Sequence, residues 1–468
     1  MQRLFVTNAA LDRAGLALTN RMFRNVPAGG ADLAPLAGIE GLIVGGATFT
    51  DHGVAHLSGL GKVKELTLWL TPVGDAGMAH LKGLPALEVL RLGQRVAQYE
   101  RGVSKTLKSL DLPGCNLTDA GFEEIGKLEG LTTLHVSGGK FGEKALEGLR
   151  NRRGLKELVM TSPKFSDVSW AAVSKLDGLE KLVVYNNQSA GKDLWRLSRL
   201  RELEIHKGLS DEASQSFERL EQLESLTLVE TAVTDRSLVY IGKLAGLRVL
   251  RLPKSSKLSE FGLANLGKLM KLEELDLTGA NMTGGAFVQM RQVPMLKKVI
   301  LTGTKVQDAS LVHMKGWKQL EVLDLSSTKV KGRGLASLAL LPKLTDLNLA
   351  GTGVNDEAAQ SLASLTALAR LTLHGTPVGD AGLKHFKPLT KLAYLGLSST
   401  RVTDKGLAHL KPLTALAELN LFGTGIIDAG VPHLAALRGL KVVHLGKTKI
   451  SPKGLAALAK ARPKLKIR

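Results

Sequence analysis

Hydrophobic positions in the C-terminal half of the chain return every 24 residues. From Leu368 they fall at Leu371, Leu373, Val378, Leu383, Phe386 and Leu389, and the pattern restarts at Leu392. It repeats as Leu395, Leu397, Val402, Leu407, Leu410 and Leu413, and opens again at Leu416. Followed backward, units open at Leu344, Leu320, Leu296, Leu272, Leu247, Leu223, Leu200, Leu179, Leu155, Leu131, Leu107, Leu87, Val63 and Ile39; forward, one more opens at Leu440. About eighteen units in one register define a tandem array, in which each unit buries its apolar face against its neighbours.

Within a unit the segment L-x-x-L-x-L predicts a short strand, with positions 4 and 6 pointing inward and positions 3, 5 and 7 outward. Each strand pairs in parallel with its counterpart one unit on. Parallel neighbours need a crossover, so the chain returns through a helix. The Asp at position 13, as in Asp380, Asp404 and Asp428, reads as the N-cap of that helix. Apolar residues three apart then line the buried helical face. The expected fold class is α/β, a right-handed solenoid with a parallel sheet on one side and helices on the other.

The sequence Val402-Thr403-Asp404-Lys405-Gly406-Leu407, whose first three residues recur as Val233-Thr234-Asp235, resembles the leucine-rich repeat family. The resemblance covers nearly the whole chain and is to the subtype with a V/I-T-D-x-G-L segment after the strand, as in F-box-type and bacterial repeat proteins. It implies a curved leucine-rich-repeat solenoid with the sheet on the concave face and helices on the convex face. Position 9 is usually Thr, as at Thr71, Thr231, Thr304, Thr328, Thr352, Thr376, Thr400, Thr424 and Thr448. There the family stacks small polar side chains that bond to loop backbone. Cys115, the single cysteine, takes the same position and reads as part of that ladder rather than as a nucleophile.

The array is assigned to residues 39–464. Residues 1–38 hold a degenerate unit (Leu4, Val6, Ala9, Leu11, Gly15, Leu16) and a connection containing Val26-Pro27-Ala28-Gly29-Gly30, while residues 465–468 read as the start of a truncated strand. Two units depart from the template. The one from Leu87 is short and carries Gln94-Arg95-Val96-Ala97-Gln98-Tyr99-Glu100-Arg101; the one from Leu179 contains Asn186-Asn187-Gln188-Ser189. Both read as repeat decay in preference to binding loops.

Composition adjusts this picture in three ways. One cysteine excludes a disulfide framework or a cysteine-rich metal site and fits a reducing compartment, so a cytoplasmic location is expected. No segment approaches the roughly 18 apolar residues of a membrane span. The formal charge of +20 invites an acidic partner, yet positions 2, 3, 5, 7 and 8 of the eighteen units carry about 15 Lys or Arg against about 17 Asp or Glu. The sheet face is thus nearly neutral and the excess lies on loops and helices. Examples are Lys305, Lys329, Arg401 and Lys449 beside the threonines, Lys82, Lys127, Lys384, Lys387 and Lys411 on helical segments, and the cluster Arg150, Arg152 and Arg153. A solvated face is the expectation, and nucleic acid is disfavoured further because no aromatics interleave with these cations.

Signals for catalysis are weak. Six histidines, His56, His80, His313, His385, His409 and His433, share position 18, which duplication explains more simply than a metal ladder. No phosphate loop occurs and nothing selects a triad. No enzyme activity, catalytic residue, cofactor or metal is expected. The candidate partner-binding residues lie on the sheet face of the last four units: Arg370, Thr372, His374, Tyr394, Ser398, Asn420, Phe422 and His444. In a chain with only 4% aromatic residues, Arg and aromatic side chains collected among small ones read as interface anchors. Trp69 and the pair Tyr185 and His206 are weaker counterparts. The expected function is a scaffold that recognises another protein on its concave face. The alternatives are an adaptor or substrate receptor in a ubiquitin-ligase-like assembly, which the resemblance allows, and a binder of an acidic partner through the basic convex side.

Overall fold

The computed structural model describes residues 3–7, 38–45, 50–69, 73, 79–92, 106–114, 119–138, 145–150, 152–161 and 165–468. Cys115, the segment from Gln94 to Arg101, and most of the degenerate first unit and its connection lie outside them. The chain forms two compact units, Met1–Glu224 and Ser225–Arg468. Among the described residues the first carries nine strands and the second eleven. Within each unit every strand pairs in parallel with the strand of the next coil. In the second, Asp346, Arg370, Tyr394, Glu418, Val442 and Lys466 lie side by side in one row. In the first, Leu66, Leu90, Leu110, Leu134, Leu158, Leu182 and Leu203 form such a row. These leucines point inward.

The core is a stack of aliphatic layers. Leu392, Leu395, Leu397, Val402 and Leu410 are wholly buried, as are their equivalents in the flanking coils. Each such side chain contributes roughly 1.5–3 kcal/mol. Strands are three residues long in most of the second unit, and the return path is short: helix Asp404–Leu407 runs directly into a 3-10 turn at Ala408–Leu410. A 24-residue coil leaves space for little more than two helical turns. From Thr304 to Thr424 the position 9 threonines are buried and donate to the carbonyl three residues earlier, for instance Thr400 Oγ1 to Leu397 O at 2.6 Å and Thr352 Oγ1 to Leu349 O at 2.6 Å, whereas Thr231 Oγ1 has no such partner. The expected bond to loop backbone is present.

The role expected for the position 13 aspartates is corrected. Asp404 is the first helical residue, and the N-cap is Thr403. The carboxylate turns away from its own helix and caps the next one. Asp380 Oδ1 accepts from Thr403 N at 2.8 Å, Asp404 Oδ1 from Ile427 N at 3.0 Å, and Asp428 Oδ1 from Ser451 N at 2.8 Å. Asp356 Oδ1 takes both Gly379 N (2.6 Å) and Gly382 N (3.0 Å). Amides at these helix starts are therefore satisfied from the neighbouring coil, while Ser210, Thr234, Ser259, Asn355 and Ser451 also cap their own helices.

This arrangement explains the glycine two residues after the aspartate. A Cβ on Gly382, Gly406, Gly430 or Gly454 would collide with the carboxylate of the preceding coil, Asp356, Asp380, Asp404 and Asp428 respectively. The exceptions obey the same rule in reverse. Where position 13 is Gly332 the next coil carries Ala358 in place of the glycine, and where it is Gly284 the next coil carries Ser310; in both cases the added side chain fills the space the carboxylate would occupy. In a coil one residue longer, Glu260 substitutes. It accepts from Thr283 N (2.5 Å), Gly284 N (3.0 Å) and Ala286 N (2.7 Å). Burial raises the Glu260 carboxyl, but these amides and the Thr283 hydroxyl outweigh burial and hold it below its usual value.

The irregular unit from Leu179 is not decayed. Asn187 is buried and sits at the centre of a polar plug. Its Oδ1 accepts from Trp170 Nε1 (3.1 Å) and Ser189 N (3.2 Å), while Nδ2 donates to Ser189 O (2.9 Å) and Lys207 O (3.3 Å). Trp170 is itself buried, edge-on to Phe165 at 5.0 Å. Leu179, Leu182, Val184, Leu194 and Leu197 still fill the short coil, and Trp170 of the preceding coil with its amide partner ties the two coils together.

Two stability experiments follow from this. Gly406→Ala should cost about 1–3 kcal/mol through overpacking, and Asp380→Gly about 1 kcal/mol through the lost cap. The double variant, which copies the Gly332/Ala358 solution, should lose clearly less than the sum in urea denaturation. Asn187→Leu should cost about 1–3 kcal/mol because it strands the Trp170 indole N–H, where a decayed surface loop would change stability by less than about 0.5 kcal/mol.

Candidate functional site

All eight residues singled out on the sheet face fall in the second unit. Arg370 and Thr372 lie on strand Arg370–Thr372, Tyr394 on Tyr394–Gly396, Asn420 on Glu418–Asn420, and His444 on Val442–His444. His374, Ser398 and Phe422 follow at position 7, just past their strands. Adjacent strands stand about 4.8 Å apart, which brings residues one coil apart into contact.

Four of them form one connected group. The Arg370 guanidinium carbon lies 4.1 Å from the centroid of the Tyr394 ring, and its Nε is 3.6 Å from Asp346 Oδ2. The Tyr394 hydroxyl is 3.2 Å from His374 Nε2. On the other side of the imidazole, the backbone N–H of Ser398 donates to His374 Nδ1 at 3.0 Å, with the Ser398 hydroxyl 2.7 Å away. An amide can only donate, so Nδ1 is the acceptor and the neutral ring carries its proton on Nε2, aimed at the phenol. Gly396 lies beneath: a Cβ there would stand 2.5 Å from His374 Cε1 and 3.1 Å from the Tyr394 oxygen.

Asn420 is joined to this group by a side-chain hydrogen bond to Tyr394, and the other three lie beside it. Phe422 is 40% exposed, with Lys447 Nζ 5.3 Å from its ring centroid. Asn420 Oδ1 accepts from Phe422 N at 3.0 Å, which fixes the start of that loop. His444 Nε2 is 3.0 Å from Glu418 Oε1. Thr372 stands in register between Asn348 and Gly396. Residues that sequence reasoning missed are Asp346, Gly396, Glu418 and Lys447. Three are charged, and the position 3 and position 8 register was the signal that could have found them.

Burial sets the electrostatics. It pushes the Tyr394 phenol above its usual 10; Arg370 pulls it back, Glu418 adds to the rise, Asn420 opposes and Asp346 adds again. Burial also raises Asp346, against the pull of Arg370, and lowers the His374 imidazole below its usual 6.5.

Elsewhere on the sheet face, in the first unit, Tyr185 and His206 stack at 4.1 Å and share Glu204, which is 3.3 Å from the phenol and 2.6 Å from the imidazole. They are in contact, as their pairing in the sequence suggested. Trp69 is 55% exposed. Among the described residues, no group of three or more His, Cys, Asp or Glu is placed to hold a metal ion, and no helix is long and apolar enough to cross a membrane.

Residues 103–126 and 341–363 match the family model described as "Leucine Rich repeat". No curated protein sequence matches the chain. Among solved structures, the TLR13–ssRNA13 complex is similar with a TM-score of 0.53 at 16% identity, over 92% of this chain and 82% of that one. The fold is a leucine-rich-repeat solenoid. An internalin from Listeria monocytogenes aligns at 21% identity with a TM-score of 0.47, over 69% of this chain and 88% of its own. A leucine-rich-repeat protein of Leptospira interrogans aligns at 19% identity with a TM-score of 0.44, over 93% of this chain and 97% of its own.

The electrostatics of the solenoid's Arg370–Tyr394 contact can be read in alkali. In a difference titration against Tyr394→Phe, followed by absorbance of phenolate, Tyr394 should ionise above pH 10, and Arg370→Ala should move that ionisation higher still by removing the cation that favours phenolate.

Proposed function

We propose that this protein is a recognition scaffold that binds another protein on the sheet face of its last four units, with Tyr394, Arg370 and Phe422 as the anchors. One observation carries the reading: in a chain with 4% aromatic residues, two aromatic rings on neighbouring strands each lie against a cation, Arg370 on Tyr394 and Lys447 on Phe422. Aromatic and Arg side chains held in place before binding lose little conformational entropy on complex formation, which is what makes anchors strong. The scaffold supports this role because its strands are fixed on both sides by backbone pairing. The family subtype with the V/I-T-D-x-G-L segment fits the paired roles of Asp404 and Gly430, and belongs to the same proposal.

The test is affinity capture of the partner from source cells with the full chain, repeated with Tyr394→Ala and Phe422→Ala. Each variant should lower affinity by about 30-fold or more, corresponding to at least 2 kcal/mol, with an unchanged thermal melt. Binding that tolerates both variants and weakens steeply with salt would instead assign the partner to the basic helix side.

A further inference from the structure

The sheet face carries four described histidines with mapped partners, and one differs in kind. His135, His206 and His444 each face a glutamate, at 3.1 Å from Glu157, 2.6 Å from Glu204 and 3.0 Å from Glu418. A carboxylate accepts from an imidazolium and favours it. His374 has a fixed backbone donor on one nitrogen and a phenol oxygen on the other.

Protonating His374 would place an N–H on Nδ1, facing the Ser398 amide N–H across 3.0 Å. The Ser398 hydroxyl could turn to accept from it; the amide could not, and would lose its acceptor in a half-buried position. The surrounding charges do not compensate. On its own strand His374 has Arg370, a cation. On the preceding strand Asp346 is turned to that guanidinium. On the following strand the neighbour is Tyr394, and one coil further Glu418 is taken by His444. The cation thus gains a positive neighbour and no free carboxylate. Gly396 makes room for this arrangement: a Cβ there would stand 2.5 Å from His374 Cε1 and 2.7 Å from its Nε2, so the ring reaches both partners only because that atom is absent.

We propose that His374 is the proton-controlled positioning residue of the Arg370–Tyr394 anchor: neutral, it holds the phenol in place together with Asn420, and protonated it leaves the Ser398 amide and lets the phenol shift, so that partner contact through this patch is weakened on acidification. The inference rests on the recognition role assigned above, but the switch is a property of the free protein. The direction of linkage agrees. The folded-state imidazole titrates below the usual 6.5, so the folded arrangement keeps its full stability above that value and loses part of it as pH falls from 6.5 towards the folded midpoint.

The experiment uses the full chain with ring-15N-labelled histidine and ring-labelled tyrosine, without any partner, titrated from neutral pH to about pH 5. His374 is assigned by the signal lost in His374→Gln, and Tyr394, one of four tyrosines, by Tyr394→Phe. The expected result is the Nε2–H tautomer at neutral pH, a midpoint below 6.5, and a Tyr394 ring shift with the same midpoint. In Gly396→Ala the added methyl displaces the ring, and the midpoint should rise towards 6.5. An Nδ1–H tautomer, a midpoint at or above 6.5, a Tyr394 ring that stays unmoved through the His374 transition, or a Gly396→Ala midpoint equal to wild type would each overturn the proposal. If the switch is found while Tyr394→Ala leaves capture of the partner intact, the recognition reading fails and the switch stands; the reverse result separates them the other way.

Discussion

No coil of this protein can satisfy its own backbone. A three-residue strand makes no internal hydrogen bonds, and a one-turn helix leaves most of its first amides without an intrahelical acceptor. Both debts are met by the next coil: strand amides by the adjacent strand, and helix starts by the carboxylate of the preceding unit, as Asp356 serves Gly379 and Gly382. The coupling is geometric as well as energetic. The short aspartate side chain reaches those amides where the residue at position 15 of the receiving coil lacks a Cβ, and so Asp and Gly go together as an inter-coil pair, whereas the longer Glu260 reaches past Ala286. Strand spacing, core layering and the rigid display of outward side chains all follow from that lock.

The apolar skeleton was legible because its positions repeat: Leu392, Leu395 and Leu397 are buried where alternation puts them, and the threonines bond to loop backbone as position 9 suggested. The aspartates were misread because sequence proximity favours a residue's own helix, whereas the acceptor geometry lies across to the neighbouring coil. The information was nonetheless present. Gly332 followed by Ala358, and Gly284 followed by Ser310, break the Asp and Gly pattern together, and only a contact between coils requires both to change at once.

Which residues share the sheet face was legible, and how they are wired together was not. Position 3, 5 and 7 residues do share the sheet face, so Arg370, Tyr394 and His374 could be named. Which of them touch depends on side-chain length and on what lies between coils. Gly396 is the instructive case: its contribution is an absent atom, which no search for chemically active residues would select. Asn187 makes the complementary point. A polar run in a short unit looked like decay because a buried amide is invisible until its partners, the Trp170 indole and two carbonyls, are seen.

Position on the sheet decides which polar groups remain available to a partner. Earlier in the second unit the outward residues neutralise one another: Glu274 lies between Arg251 at 2.9 Å and Lys298 at 3.2 Å, and Asp324 accepts from Ser326 N at 2.8 Å and Asn348 Nδ2 at 2.8 Å. Such closed networks have few unmade bonds to offer, and replacing them by contacts to a partner would return little net free energy. From Arg370 onward the cations lie on aromatic faces, where a guanidinium keeps most of its N–H groups free and the ring keeps an exposed face. An acceptor on a partner can therefore join the Arg370–Tyr394 pair without first breaking a strong internal bond. The two stretches of one sheet, built on the same backbone, thus differ in how their outward side chains are paired.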